Sequence, residues 1–452
     1  MIKHKLVAYG CLILALTFYT SAGSPLVSST AIDRVDDSRS AQVSKIYLPF
    51  ISKTCDHCYY VDSINGSDAN PGTSQGAPWR TLAPVNGHAF HPGDKVLFKR
   101  GASWSGQLTI NDSGVEGNPI TISAYGIGNR PVFTNPGAPD SRTRGVMINA
   151  DWVIVEGLLV QNTQEAAVAL GVGSDHNIVR DVEATDVGVG VAVHGQYNLV
   201  TGNYMHDLHM VRNTPGGTDD SGAVAVVLYG PHNEVSYNTM INCRAPSYDF
   251  GVDGGAVEWV GNVDNSYVHH NWANGDNGFL EVGGGSARNT VLAYNVSVNN
   301  GGFSYIHLTG QFASVVQNFR IENNTIVETA SDGPHWVVFG FSADPTASTF
   351  LVRNNVLYIA GFSKVSNASS FTHDHNLYYL VGGTQLGFAL GPEEKSADPL
   401  FVNLVGQDFH LQPSSPAMDA GIDRGYTLDF EDHPVPVGVA PDLGSYEYQG
   451  AP

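Results

Sequence analysis

From about residue 150 onward the chain repeats one short pattern, an aliphatic residue followed three places later by asparagine. Val200/Asn203, Val235/Asn238, Val268/Asn271, Leu292/Asn295, Ile321/Asn324 and Val352/Asn355 fit it, and Val155/Leu158 and Val179/Val182 are earlier members without the asparagine. Steps between successive members run from about 21 to about 35 residues. A firm lower bound with variable excess means one solenoid coil plus loops of differing length. Three short strands and their turns consume about that minimum, and asparagines stacked at one turn hydrogen-bond along a column. Leucine-rich repeats share the length, but their LxxLxL pattern is missing. No segment carries a sustained apolar 3.6 period. Short runs such as Lys95 to Lys99, Gln107 to Ile110 and Pro119 to Ala124, each bounded by Gly, Asn or Pro, read as strands. The expected fold is all-β, a single-stranded parallel β-helix.

Composition agrees. Charged residues make up 14% of the chain and glycine contributes 51 residues; ordinary soluble domains are about 25% charged. Helical bundles and coiled coils are disfavoured, and a 42% hydrophobic share excludes disorder. A formal charge of −21 argues against nucleic acid as a partner, since phosphate binding needs clustered Lys and Arg. Lys3 and Lys5, the apolar run Leu6 to Tyr19 and the small residues Thr20 to Ala22 read as a secretory signal peptide over 1–22. That run falls short of the ~20 residues a membrane span needs. We therefore expect a secreted, extracellular monomer with no membrane span after cleavage. Residues 23–58 read as a Ser-rich linker that includes the apolar patch Lys45 to Ile51. An N-terminal cap with the first strands follows over 59–135, then coils over 136–380 and a C-terminal cap over 381–452. Cys55 and Cys58 lack the second cysteine pair of a metal knuckle, which leaves a local disulfide or two free thiols. Cys243 reads as a buried thiol.

Both ends of the fold carry a resemblance. YYVDSINGSDANPGTSQGAPWRTL from Tyr59, then PGDKVLFKRG and GNPITISAYG, resemble the N-terminal cap of secreted right-handed β-helix polysaccharide enzymes. ADPLFV, DFHLQPSSPAMDAG and APDLGSYEY resemble the closing segment of the same pectate-lyase-like group. The resemblance spans residues 59 to 448. It implies a right-handed β-helix and a polysaccharide partner, but not a chemistry, because the group contains both lyases and glycosidases.

The candidate chemistry lies on strands that follow the asparagine turns. Asp220 to Ala225, Asp253 to Glu258, Asp276 to Glu281 and Asn300 to Tyr305 align without gaps, with Asp186 to Val191 as an earlier relative. Val224/Val226, Val257/Trp259 and Leu280/Val282 then point inward, while Ala225, Glu258 and Glu281 point out. Neighbouring strands lie ~4.8 Å apart. Two carboxylates that close push one toward holding its proton, which suits a general acid beside a base or nucleophile. Asp219, Asp220, Asp253 and Asp276 are alternatively a calcium set, since Ca²⁺ takes mixed oxygen ligands. The bland reading is a solvated acidic ladder, strongest for Asp186 and Asp276, where D-x-G is turn chemistry.

Two long loops, Leu208 to Asp219 and Cys243 to Val252, bring His209, Arg212, Arg244, Tyr248 and Asp249 toward the same face. Tyr305 and His307 lie one coil on, as sugar contacts or plain surface. His206 with His209, and His269 with His270, tempt a transition-metal reading but lack a third ligand set. There is no lysine between Lys99 and Lys364, so elimination would need Arg212, Arg244, Arg288 or Arg320 as base. An acidic face also repels a polyuronate unless calcium intervenes. We expect hydrolysis, needing no cofactor, with Glu258 and Glu281 as the catalytic pair and Asp253 and Asp220 assisting. A calcium-dependent lyase and a non-catalytic surface β-helix stay open.

Overall fold

The computed structural model describes Cys55, residues 57–329 and residues 337–450. The expected signal peptide, most of the expected linker and the Lys45 to Ile51 patch lie outside the described residues. The rest is a parallel β-helix. One sheet of 12 parallel strands runs from Cys58–Val61 to Thr372–Asp374, one strand per coil. The remaining parallel ladders wrap the other sides of the same coils. One helix, Leu82–Gly87, lies among the described residues; it caps the N-terminal end, with the Thr81 hydroxyl accepting from the Ala83 amide at 3.2 Å.

The repeat explains the coil. Val200, Val235, Val268, Leu292, Ile321 and Val352 are fully buried along its axis. The next turn bends through a residue with positive φ, among them Tyr237, His270, Tyr294, Asn323 and Asn354 at 52 to 55°. The asparagine after it is buried and engaged on all sides. Asn271 donates to the carbonyls of Val235 and His269, both at 2.9 Å, and to Asn295 Oδ1 at 3.0 Å, while its own Oδ1 accepts from the Asn238 amide at 3.0 Å. The ladder runs from Asn203 to Asn376. A second column of Asn177, Asn198 and Asn233, with no expectation from the sequence, supports an adjoining turn in the same way. Backbone groups that a turn would strand inside the coil are thus paired by side chains.

Register decides which residues meet outside. Glu258 on the strand Gly255–Asn262 pairs with Glu281 on Leu280–Arg288, and Glu281 with Tyr305 on Ser304–Ile306. Trp259 is fully buried inside. The preceding coil departs from the expected alignment, because Val227, not Ala225, stands opposite Glu258. Ala223 takes φ 55°, and the in–out alternation breaks further on, where Ala225 and Val226 both join the interior. Val224 faces outward with Val227, in one apolar cluster with Ala166, Ala169, Val189 and Ala192, while Ala225 joins the interior. Asp220 therefore leaves the column assigned to it and sits in the loop before the strand.

Candidate functional site

Above the Glu258 and Glu281 strands lies a cleft of about 510 Å³. Its floor holds Val257, Glu258, Val260, Gly278, Glu281 and Gly283, and its walls include Thr218 to Gly222, Phe250, Val252 to Gly254, Tyr305, His307 and Phe312. Glu258 and Glu281 project from neighbouring strands, ~4.8 Å apart at the backbone. Burial, then the charges of Glu281 and Asp253, pushes the Glu258 carboxyl up to about 8. Burial likewise raises Asp253 to about 7, with Glu281 and Asp220 adding to the shift and its hydrogen bond from the Gly254 amide at 2.9 Å opposing it. Glu281 Oε1 lies 2.8 Å from His307 Nε2. That contact fixes the second carboxylate, and Tyr305 packs edge-on against the same imidazole at 4.8 Å. The Tyr305 ring has room because residue 340 is glycine; a Cβ there would lie 2.4 Å from Tyr305 Cδ2.

The other expected residues scatter. Asp276 is buried, accepts the Cys243 amide at 2.6 Å and is held near 7 by that burial, so it belongs to the turn ladder rather than to a cation site. Asp186 is exposed at a positive-φ bend (51°) within the strand Glu183–Val193. Arg212 pairs with Asp219 at 2.5 Å. His209 sits over the Met210 carbonyl at 3.0 Å. Arg244 and Tyr248 do not line the cleft, and Tyr248 is 67% exposed on the tip of a hairpin formed by Ala245–Ser247 and Gly251–Asp253. Arg288 pairs with Asp264 and Arg320 approaches Glu322. His206 contacts Asp207 at 2.8 Å; His269 and His270 contact each other at 2.7 Å and hold Glu234 and the Asp429 carbonyl. Cys55 and Cys58 form a disulfide, and Cys243 is a buried free thiol.

Carboxylates of Asp219, Asp220 and Asp249 converge within 4.8 Å at one wall. Of the four residues expected to hold calcium, Asp253 and Asp276 stand outside this group, and Asp249 joins it. Most of their oxygens already accept a donor. Asp220 accepts from the Thr214 amide, the Ser247 hydroxyl and the Asp249 amide; Asp249 accepts from the amides of Asp219 and Asp220; Asp219 holds Arg212. Burial works against the Asp220 charge, but these donors outweigh it and keep its carboxyl below the ordinary range. Calcium takes six to eight oxygen ligands, and here three carboxylates offer them while accepting these donors. None of the described residues lining the cleft is lysine or arginine. Phe250, Phe312 and Asn277, which carry no signal in the sequence, complete the walls.

No family model matches the chain. A lacto-N-biosidase of Bifidobacterium longum subsp. longum is 46% identical over 90 residues, 19% of this chain and 6% of that protein. Pectate lyase L of Dickeya chrysanthemi is 26% identical over 319 residues, 66% of this chain and 64% of that one. The chain thus spans less than two thirds of the length of these curated relatives, whose names cover both hydrolysis and elimination. Among solved structures, pectate lyase Pel9A superposes with a TM-score of 0.62 at 18% identity, over 86% of this chain and 96% of that one. XylC with xylose gives 0.56 at 10% identity, over 87% and 99%. The right-handed β-helix read from the coils and the two ends of the sequence is therefore the fold, and identities this low carry the fold alone.

Proposed function

We propose that the protein is an exported carbohydrate-active enzyme that hydrolyses glycosidic bonds, with Glu258 as general acid and Glu281 in the opposing role. The pairing of Glu258 with Glu281, on a cleft floor free of cationic side chains, carries this reading. Near neutral pH Glu258 holds a proton it can pass to the leaving glycosidic oxygen as the C–O bond breaks. Glu281, steadied by His307, attacks the anomeric carbon or takes the proton of the attacking water. Asp253 stands beside the pair as a third carboxyl that modulates Glu258. Aromatic faces of Phe250, Phe312 and Tyr305 suit the apolar faces of sugar rings. A lyase would need a strong base, and the described residues lining the cleft include neither Lys nor Arg. Export rests on the basic, apolar and small-residue order of residues 1–22; N-terminal sequencing of protein from the medium should find cleavage close to Ala22.

Incubating residues 59–452 with neutral and acidic polysaccharides, with and without EDTA, tests the chemistry. The expected result is new reducing ends without the ultraviolet absorbance of an unsaturated uronate, unaffected by EDTA and lost in Glu258→Gln and Glu281→Gln. Absorbance that EDTA abolishes would instead establish a calcium-dependent lyase. Full activity in both variants would remove the pair from the mechanism.

A further inference from the structure

We infer that the cleft receives the end of a glycan chain rather than its interior, and that Gln311 is the residue that sets this limit. The inference rests on reading the cleft as a sugar site and goes on to name the mode of attack. Thr218 lies in the loop before the strand Val224–Leu228, and Gln311 in the loop after Ser304–Ile306. The two strands bearing Glu258 and Glu281 lie between them. Gln311 Nε2 nevertheless donates to Thr218 Oγ1 at 3.0 Å, across 93 residues of sequence. Both loops contribute a wall of the cleft, through Thr218 on one side and Phe312 on the other, so the bond straps one wall to the other above the carboxylates.

Neither anchor is a free tip. The Thr218 loop is held by Asp220 and Asp249, which accept four amides, and by the Arg212–Asp219 pair. The Gln311 loop is pinned on both sides. The Phe312 carbonyl accepts from the Gly284 amide at 2.7 Å, and the Ser342 hydroxyl accepts from the amides of Leu308 and Thr309 at 2.8 and 3.0 Å. Beyond the Val227 strand the outward face is also shut, because Gln164 reaches across to the Val211 carbonyl at 2.8 Å and the apolar cluster beneath is buried. The strap spans the cleft from wall to wall, so an internal stretch of polymer cannot be laid in from above, and the cover closes the side beyond Val227. A chain terminus needs only one open side.

The test uses the full mature chain carrying Glu258→Gln, so that bound sugar is not consumed. Size-fractionated oligomers of xylan, galactan, mannan, glucan and polygalacturonate are titrated calorimetrically, and the number of protein molecules bound per glycan chain is followed against chain length. One protein per chain at every length is expected, rising with length once Gln311→Ala is added, in a variant whose melting temperature is unchanged. A count that rises with length while Gln311 is present overturns the proposal, and so does a count that Gln311→Ala leaves at one. If no oligomer binds, the sugar-site reading falls and takes this inference with it. If chain ends bind but no reducing ends are ever released by the unsubstituted enzyme, the hydrolase reading fails while end recognition stands.

Discussion

One outward-facing column of the solenoid is built in two contrasting ways. Ala169, Ala192 and Val227 stand in register on successive strands, and Glu258, Glu281 and Tyr305 continue the same column. The first three are at most 8% exposed. They are roofed by the segments around Asp140 and Val211, tied to each other by the Asp140 amide and the Val211 carbonyl at 3.2 Å. The next three open onto the cleft. Backbone pairing is the same throughout, so the ladder does not dictate chemistry; the loops decide whether the column becomes a second apolar core or a site. A carboxyl is tolerable in the open stretch because water and a neighbouring carboxyl share its proton. Beneath the roof it would have neither.

The sharpest way to break this contrast is to remove the proton donor. Glu258→Gln should lower the hydrolytic rate by about 10³-fold while the far-ultraviolet spectrum stays unchanged, within the ~10²–10⁴ range for a lost general acid. The reciprocal change moves the carboxyl one strand along. Val227→Glu places it under the roof at a site 3% exposed, where burying an unpaired polar group costs about 3 kcal/mol or more. Urea denaturation should show that loss, and an unshifted midpoint would mean the roof opens freely. His307→Gln is the milder probe of the open stretch. Its amide can still reach Glu281 but lacks the rigid ring that Tyr305 packs against, so we expect kcat to fall by about 10-fold with KM unchanged. A loss confined to KM would make His307 a sugar contact rather than a positioning residue.

The same contrast explains what the sequence reveals and what it hides. Coil interiors and the asparagine column are legible because burial leaves few alternatives: an aliphatic residue inside, then a side chain able to satisfy stranded turn amides. Glu258 and Glu281 are readable as neighbours because Asp253 to Glu258 and Asp276 to Glu281 align without gaps, and the strand register keeps that pairing. The alignment slips at Asp220 because the break in alternation between Ala225 and Val226, which brings Val227 opposite Glu258, leaves no mark in an Ala-Val-Ala-Val-Val run. Arg244 and Tyr248 are expected in the cleft on loop length alone, whereas the hairpin that carries them turns Tyr248 to solvent. Gln311, Phe312 and Phe250 leave no signal, since loop conformation rather than periodicity brings them to the site. Asp276 is ambiguous for a physical reason, because one residue type serves a turn amide and a catalytic proton equally well.

The smallest effect tests whether Glu258 truly holds its proton. Its carboxyl rests at about 8 in the folded chain against an ordinary 4.5, through burial first and the nearby Glu281 and Asp253 charges second. Folded protein therefore keeps a proton that the unfolded chain has already released between these two values. Stability tied to this group is present below about pH 4.5 and is lost as pH rises toward 8. Each tenfold gain in proton affinity on folding corresponds to about 1.4 kcal/mol, but screening by solvent in the open cleft reduces the usable part to roughly 1–2 kcal/mol. Comparing urea midpoints of the parent and Glu258→Gln at pH 5 and pH 8 isolates it, since glutamine has no proton to lose. The parent should lose more stability than the variant across that interval. Equal slopes would mean that Glu258 is ionised throughout, and the general acid would then have to be Asp253, the other cleft carboxyl raised to about 7.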